Sequence, residues 1–264
     1  MIESLNSPHI ARVKALIGSR GTKERKSSGH FVAEGLQCAR EAMVATTGPR
    51  IETLYFTPAG RFKVEQIADL NSFNVVEVSD GVMKAMAETI TPQGILAVCS
   101  IPIKSLESIT LNGTRKFVYL SEIQDPGNAG TVIRSADAAG FDAVVFSNES
   151  VDVFNPKTVR ATVGSLWHIP VVSDVDISEF IAGAMVNGVS LFALTGTGKE
   201  SFDSTFVAKT SATPSAWIFG NEARGLPDLP GEITTVAIPM KGFAESLNVA
   251  SAAAIVLHSV GQSL

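Results

Sequence analysis

The chain is short of cysteine, of histidine, of net positive charge and of long apolar runs, and each shortage closes off a class of function. Cys38 and Cys99 are its two cysteines. They are isolated and have no metal-ligand spacing, so both read as reduced, buried thiols. The four histidines are scattered, which supports neither metal catalysis nor a Ser/His/Asp hydrolase triad. The longest apolar run, around residues 249–257, is too short to span a bilayer. The opening MIESLNSPHIARVK has no apolar core of the kind a signal peptide needs. A cytoplasmic protein without membrane association is therefore expected. A net charge of −5 argues against a protein that is basic overall and binds nucleic acid for that reason.

Charge is nonetheless unevenly placed. The first 105 residues carry a slight basic excess and the remainder an acidic one. The excess concentrates in Arg12, Lys14, Arg20, Lys23, Arg25 and Lys26. A local patch of this kind can grip phosphates even on an acidic protein, although the same charges also suit a solvated helix end. Glycine-rich loops invite a nucleotide reading that the spacing does not support. TGTGKES (195–201) follows an apolar run but lacks the phosphate-loop spacing, and DPGNAGTVIRS (125–135) lacks GxGxxG. A nicotinamide-dependent oxidoreductase thus lacks its fingerprint.

What is present is an alternation of strand-like and helix-like segments. Residues 4–17 read as a short amphipathic helix capped by Ser7 with Pro8 in its first turn. SRGTKERKSSGHF reads as a polar, basic loop. FVAEGLQCAREAMVA turns from strand to helix at Gly35, with Glu34 at the junction. IETLYFT, FNVVEVS and GILAVCSI read as strands, with RFKVEQIADLNS and DGVMKAMAETI as helices between them. This makes a small α/β unit, followed by a linker at residues 102–114. A second unit starts at the strand KFVYLSEI, which DPGNAG breaks before the helix TVIRSADAAG. The strands DAVVFSN, VSLFALT and SAWIFGN alternate with the helical stretches NPKTVRATVGSLW and ISEFIAGAMVNG. The expectation is an α/β domain with a mainly parallel sheet covered on both faces.

The C-terminal stretch VAIPMKGFAESLNVASAAAIVLHS (236–259) organises the rest. It reads as a buried strand, a polar loop crowded with Lys241, Glu245, Ser246 and Asn248, and a helix apolar on nearly every face. That helix is expected to be buried all round. Read alone, the loop is better explained by a capped helix start, with Ser246 or Asn248 as the cap. Asn128 and Arg134 sit six residues apart on the loop and first turns of another helix, near an N-terminus suited to phosphate. Read plainly, Asn128 would be a turn residue and Arg134 a surface charge.

Taken together, SEIQDPGNAGTVIRSADAAGF (121–141), WIFGNEARGLP (217–227) and IPMKGFAESLNVASAAAIVLH (238–258) resemble, in order and spacing, the three motifs of the SpoU (TrmH-type) RNA ribose 2′-O-methyltransferases of the SPOUT superfamily. The landmarks FVAEG and ITPQGILA are similar to the small RNA-binding domain that precedes the catalytic domain in many members. The resemblance implies an RNA substrate-binding domain over residues 1–105 and an α/β-knot methyltransferase domain over 106–264, whose C-terminal segment threads a trefoil knot. It implies S-adenosylmethionine as cofactor, held mostly by main chain at Thr195, Gly196, Gly220, Ile238, Met240 and Leu247. Arg134 becomes the central catalytic residue and Asn128 its orienting partner. Glu222 becomes the carboxylate that holds Arg134 or a ribose hydroxyl, and Ser246 and Asn248 become positioning groups. RNA contacts fall to Arg20, Lys23, Arg25, Lys26 and Arg160, with no metal. The implied reaction is methylation of a ribose 2′-hydroxyl in ribosomal or transfer RNA by a homodimer. A non-catalytic RNA-binding protein that kept the fold is the alternative. One family mechanism makes Arg134 the base. A guanidinium keeps its proton in proteins and a neighbouring phosphate anion favours the charged form, so charge stabilisation suits it better, the proton leaving through Glu222 or water.

Overall fold

Capping chemistry sets many of the helix starts. The side-chain oxygens of Ser7, Thr57 and Asp125 accept from the backbone N–H groups of His9, Gly60 and Asn128, and each cap is followed directly by a proline. The oxygen satisfies an N–H left orphaned at the helix start, and proline presets φ at the first helical position. The computed structural model describes residues 1–109 and 115–262. Residues 110–114 of the linker expected at 102–114 lie outside the described residues.

In chain order the elements are α1 (Pro8–Ile17), α2 (Gly21–Ser28), β1 (His30–Glu34), α3 (Leu36–Val44), β2 (Ile51–Phe56), α4 (Pro58–Val64), β3 (Val75–Glu77), α5 (Asp80–Met86) and β4 (Ile95–Ser100). There follow β5 (Lys116–Leu120), α6 (Pro126–Ala138), β6 (Ala143–Ser147), α7 (Pro156–Thr162), β7 (Val171–Val175), α8 (Ile177–Val186) and β8 (Ser190–Leu194). The chain ends with β9 (Glu200–Ser201), α9 (Ser204–Thr210), β10 (Ser215–Phe219), β11 (Thr234–Ala237) and α10 (Val249–Gly261). They form two compact units. The first contains Met1–Ile103 together with Asp152–His168, and the second contains Lys104–Val151 and Ile169–Leu264. The first break falls within the expected linker. The segment carrying α7 packs with the N-terminal unit rather than with the unit that surrounds it in sequence.

The first unit is a four-stranded sheet in the order β1-β4-β2-β3, with β4 antiparallel to both neighbours and β3 parallel to β2. Ile10, Val13 and Leu16 of α1 pack with Val82, Met83 and Met86 of α5 on Val32, Tyr55, Leu96 and Val98 of the sheet. Gly60 and Gly94 touch backbone to backbone: a Cβ on Gly60 would lie 1.9 Å from the Gly94 carbonyl oxygen.

Here the polar loop expected at SRGTKERKSSGHF is a helix, α2. Arg25 explains the difference. Its side chain is buried, pairs with Asp152 at 2.7 Å, and donates to the Leu16 carbonyl and to Thr22. A tertiary anchor of this kind overrides a sequence with no apolar face. Arg25 therefore presents no charge to a phosphate, which corrects its assignment to RNA. Removing one partner of a buried pair leaves the other charge uncompensated. Arg25→Ala is thus expected to destabilise the first unit by about 3–5 kcal/mol. Urea unfolding followed at Trp167, buried in this unit with its indole N–H on the Pro49 carbonyl, checks this.

The second unit is a seven-stranded sheet, β7-β6-β5-β10-β8-β11-β9, parallel at every pairing. Strands β5, β6 and β10 are buried throughout. Apolar residues on one face pack with Phe180, Ile181 and Ala184 of α8. Elsewhere Phe192, Phe202, Phe206 and Trp217 form an aromatic cluster. Strand order changes direction at β5, which has β6 on one side and β10 on the other. In parallel sheets the crevice beyond the carboxyl ends of strands at such a point is where ligands bind. This order agrees with the knotted connection that the resemblance implies.

Helix α10 lies against α6. A Cβ on Gly261 would come within 2.3 Å of the Ala139 carbonyl oxygen, and Lys116 on β5 donates to the Val260 carbonyl at 2.7 Å. Burial of Lys116 lowers its pKa, opposed by the charge of Asp142. The expectation that α10 is buried all round is corrected. Val249, Ala250, Ala253, Val256, Leu257 and Val260 are inside, but Ser251, Ile255 and His258 form an exposed stripe. Both cysteines are free and buried, and burial pushes the Cys38 thiol up to about 11. No helix among the described residues is long and apolar enough to cross a membrane.

Candidate active site

Four loops leave the carboxyl ends of neighbouring parallel strands, and they build one site. The loop after β5 reaches Asp125, the cap of α6, and puts Asn128 in the first turn of that helix. Helix α6 starts at Pro126, inside the stretch expected to be loop, because Asp125 and Pro126 together set a helix start. The Asn128 amide donates to Glu222 Oε1 at 2.7 Å, and its carbonyl oxygen accepts from the Asn248 amide at 3.1 Å. Asn248 in turn caps α10 by accepting from the N–H groups of Ala250 and Ser251. The sequence-distant Asn128, Glu222 and Asn248 are thus one hydrogen-bonded chain, joining three loops.

Behind this chain is a second set that sequence reasoning missed. Glu122 has a φ of 52°, unusual for a residue with a side chain. In that conformation its carbonyl accepts from the Asn221 amide at 2.8 Å and its N–H donates to Ser147 at 2.7 Å. Its carboxylate pairs with Arg224 at 2.7 Å. Asn221 Oδ1 accepts from the N–H groups of Ala223 and Arg224, which shapes the turn that presents Glu222. The only sequence signal for Glu122, Asn221 and Arg224 is that they lie within the first two motifs, and Ser147 lies outside both.

Beside the chain of amides is a pocket of about 290 Å³. Its wall includes Thr195 and Gly196 after β8, Gly220 after β10, and Ile238, Met240 and Leu247 after β11. All six residues expected around a cofactor are therefore brought together. Glu222, Glu245 and Ser246 also line it, as do Leu194, Phe219, Asn221 and Leu226, which were not foreseen. The close approach is a glycine effect. A Cβ on Gly220 would meet the Gly225 carbonyl carbon at 2.5 Å, whereas one on Gly196 would meet nothing within 4 Å. Asn221 and Gly225 bond reciprocally through their backbones at 3.0 and 2.9 Å, and Gly225 has a φ of 71°. No group of acidic, histidine or cysteine side chains able to hold a metal occurs among the described residues.

Arg134 is not part of this assembly within one chain. It lies on the exposed face of α6, and its guanidinium makes no hydrogen bond or ion pair among the described residues. Asn128, expected to orient it, is occupied by Glu222 and Asn248 instead. The physical reason is helical geometry: six residues along a helix advance about 9 Å and turn well away from the starting face. Ser246 is exposed at the pocket wall with its hydroxyl unengaged among the described residues.

In the first unit Arg20, Lys23 and Lys26 are exposed. Arg160 is not available as an RNA contact. It pairs with Glu88 at 3.0 Å and Glu34 at 3.5 Å. Glu34 is buried and also accepts from the N–H groups of Glu88 and Thr89. These bonds hold the end of β1 to the loop after α5, a structural role for a residue first assigned to recognition.

Comparison with known proteins agrees with this geometry. The SpoU rRNA Methylase family model matches residues 115–258, and the MRM3-like substrate binding domain model matches residues 8–97. The chain is 35% identical to 23S rRNA (guanosine(2553)-2′-O)-methyltransferase RlmP of Bacillus subtilis, over 89% of this chain and 90% of that one. It is 28% identical to a 23S rRNA (uridine(2479)-2′-O)-methyltransferase of Streptomyces viridochromogenes, over 93% and 86%. Among solved structures, the AdoMet-bound rRNA methyltransferase from Sinorhizobium meliloti aligns with a TM-score of 0.83 at 31% identity, covering 100% of this chain and 97% of that one. The SpoU methyltransferase AviRb from Streptomyces viridochromogenes, in complex with AdoMet, aligns at 0.81 and 25% identity, covering 97% and 98%.

Proposed function

The chain belongs to the SpoU rRNA methylase family, and from that premise we propose how its residues divide the work of the reaction. The protein is an S-adenosylmethionine-dependent methyltransferase of ribose 2′-hydroxyls in ribosomal RNA. The observation that carries the residue assignment is the chain of amides from Asn248 through Asn128 to Glu222 at the rim of a glycine-shaped pocket.

The pocket fits the cofactor. Gly196 leaves open space where any side chain would project, and small and apolar residues suit an adenine held by main chain. Thr195, Gly196, Gly220, Ile238, Met240 and Leu247 would hold it. When bound, S-adenosylmethionine supplies a methyl group made electrophilic by its sulfonium charge. Glu222 has Oε1 fixed by Asn128, which leaves Oε2 to accept the proton of a ribose 2′-hydroxyl. Ser246, unengaged at the same wall, positions the ribose. Arg134 stabilises charge growing on the 2′-oxygen while clamping a phosphate.

A guanidinium detached from its own chain's site is supplied to a second copy. One turn on from Arg134 along α6 is Ala138, which with Ser135 lines an open apolar groove against Ala254 and Ile255 of α10. A symmetric dimer through this face would cover Ile255 and bring Arg134 to the partner. In this reading the first unit holds the RNA substrate, and the cytoplasm is where enzyme and ribosomal RNA meet. Transfer of tritiated methyl groups from S-adenosylmethionine to unmodified ribosomal RNA, mapped to a 2′-O-methylated ribose, tests the proposal. Incorporation only into bases would refute it.

Recognition by the first unit is better tested at single residues than by truncation, because cutting at residue 105 leaves Asp152–His168 without the unit it packs in. Reversing charge at Arg20 and Lys23 together is expected to weaken RNA binding across sequences. The salt dependence should fall by about one unit of slope per lost contact, measured by filter binding across a potassium chloride series.

A further inference from the structure

Every residue from Pro239 to Asn248 is exposed, yet this loop furnishes Met240, Glu245, Ser246 and Leu247 to the wall of the cofactor pocket. Between them in sequence stands Phe243, 108% exposed. Single apolar residues on a surface are ordinary. This one is set apart by its place, since it is flanked on both sides in sequence by residues that line the site. Gly242 beside it has no atom within 4 Å of where a Cβ would be. Lys241 is exposed, and its ammonium has no ion pair among the described residues.

Resting on the reaction assigned above, we propose that Phe243 is the platform on which the base of the target nucleotide stacks, with Lys241 gripping its phosphate. The chemistry calls for such a group. A ribose in folded RNA reaches a methyl donor in a pocket only when its nucleotide leaves the stack, and the base then needs a new stacking partner. An aromatic face accepts any base, so Phe243 holds the nucleotide out without reading its identity. The lysine adds a point charge for the backbone.

Single-turnover transfer to unmodified transcripts of 16S and 23S ribosomal RNA, at saturating S-adenosylmethionine, tests this. For Phe243→Ala and Phe243→Leu, kcat/KM is expected to fall roughly 10- to 100-fold, and Phe243→Tyr and Phe243→Trp should restore it. Cofactor affinity by calorimetry and mass by light scattering should match the wild type. Lys241→Ala should reduce the salt dependence of RNA binding by about one unit of slope. Wild-type transfer by Phe243→Leu would show a merely apolar contact and overturn the proposal. A change in mass for Phe243→Ala would do so by making the residue a contact between subunits. If the wild-type protein methylates neither transcript, the assigned reaction fails and the stacking role with it. If only the variants are indifferent, stacking alone fails.

Discussion

Replacing Arg134 by alanine is expected to abolish methyl transfer while leaving the fold and the cofactor site as they are. Arg134 is exposed and its guanidinium makes no hydrogen bond or ion pair among the described residues, so stability should change by no more than about 0.5 kcal/mol. It does not line the pocket, so affinity for S-adenosylmethionine should be unchanged by calorimetry. The single-turnover rate at saturating RNA should nonetheless fall by about 10²-fold or more, the usual cost of removing a charged group aimed at a developing oxyanion. Arg134→Lys should not rescue, because an ammonium cannot span phosphate and ribose oxygen as the planar fork can. If activity returned at saturating RNA, Arg134 would be a phosphate clamp only. Turnover at the wild-type rate would make it a plain surface charge.

Gly220→Ala should produce the complementary defect. Its new methyl group would meet the Gly225 carbonyl carbon and oxygen and the Leu226 nitrogen, all closer than 3 Å. Backbone cannot yield as a flexible side chain can, so the turn from Asn221 to Gly225 must shift, and Glu222 with it. Cofactor affinity is expected to fall at least ~100-fold, equivalent to about 2.7 kcal/mol. Gly196→Ala, free of clash with the protein, should leave thermal stability unchanged and serves as the control. A Gly220→Ala protein that binds the cofactor normally would show that this loop does not form the pocket.

The two variants also test the dimer. Co-expressed Arg134→Ala and Gly220→Ala chains pair an intact pocket on one subunit with an intact arginine on the other. Recovery of activity from two inactive proteins is expected if Arg134 acts across the interface. Light scattering on the wild-type protein should give twice the chain mass. Failure to complement in mixed dimers would return Arg134 to its own chain's site.

Much of this molecule was determined by the sequence alone, wherever the signal was local. Buried runs such as KFVYL and SAWIF become parallel strands because water is excluded from both of their faces. The strand-to-helix change at Gly35 and the start of α10 at Asn248 follow from backbone freedom and side-chain capping, which act within a few residues. The family resemblance also pointed to the pocket of Thr195, Gly196, Gly220, Ile238, Met240 and Leu247, which lie on the loops that follow β8, β10 and β11.

Only the tertiary structure decided what partners do across long separations. Arg25 and Arg160 look like two basic contacts in sequence. One is buried on Asp152, 127 residues away, and the other is spent on Glu34 and Glu88. The resemblance made Asn128 the partner of Arg134, whereas folding gives its amide to Glu222 and its carbonyl oxygen to Asn248, and α10 keeps an exposed stripe at Ile255. A charge or an amide has no preferred neighbour until the chain closes around it. Periodicity and capping are encoded within a few residues, but the pairing of polar groups is settled only by which loops the sheet places side by side.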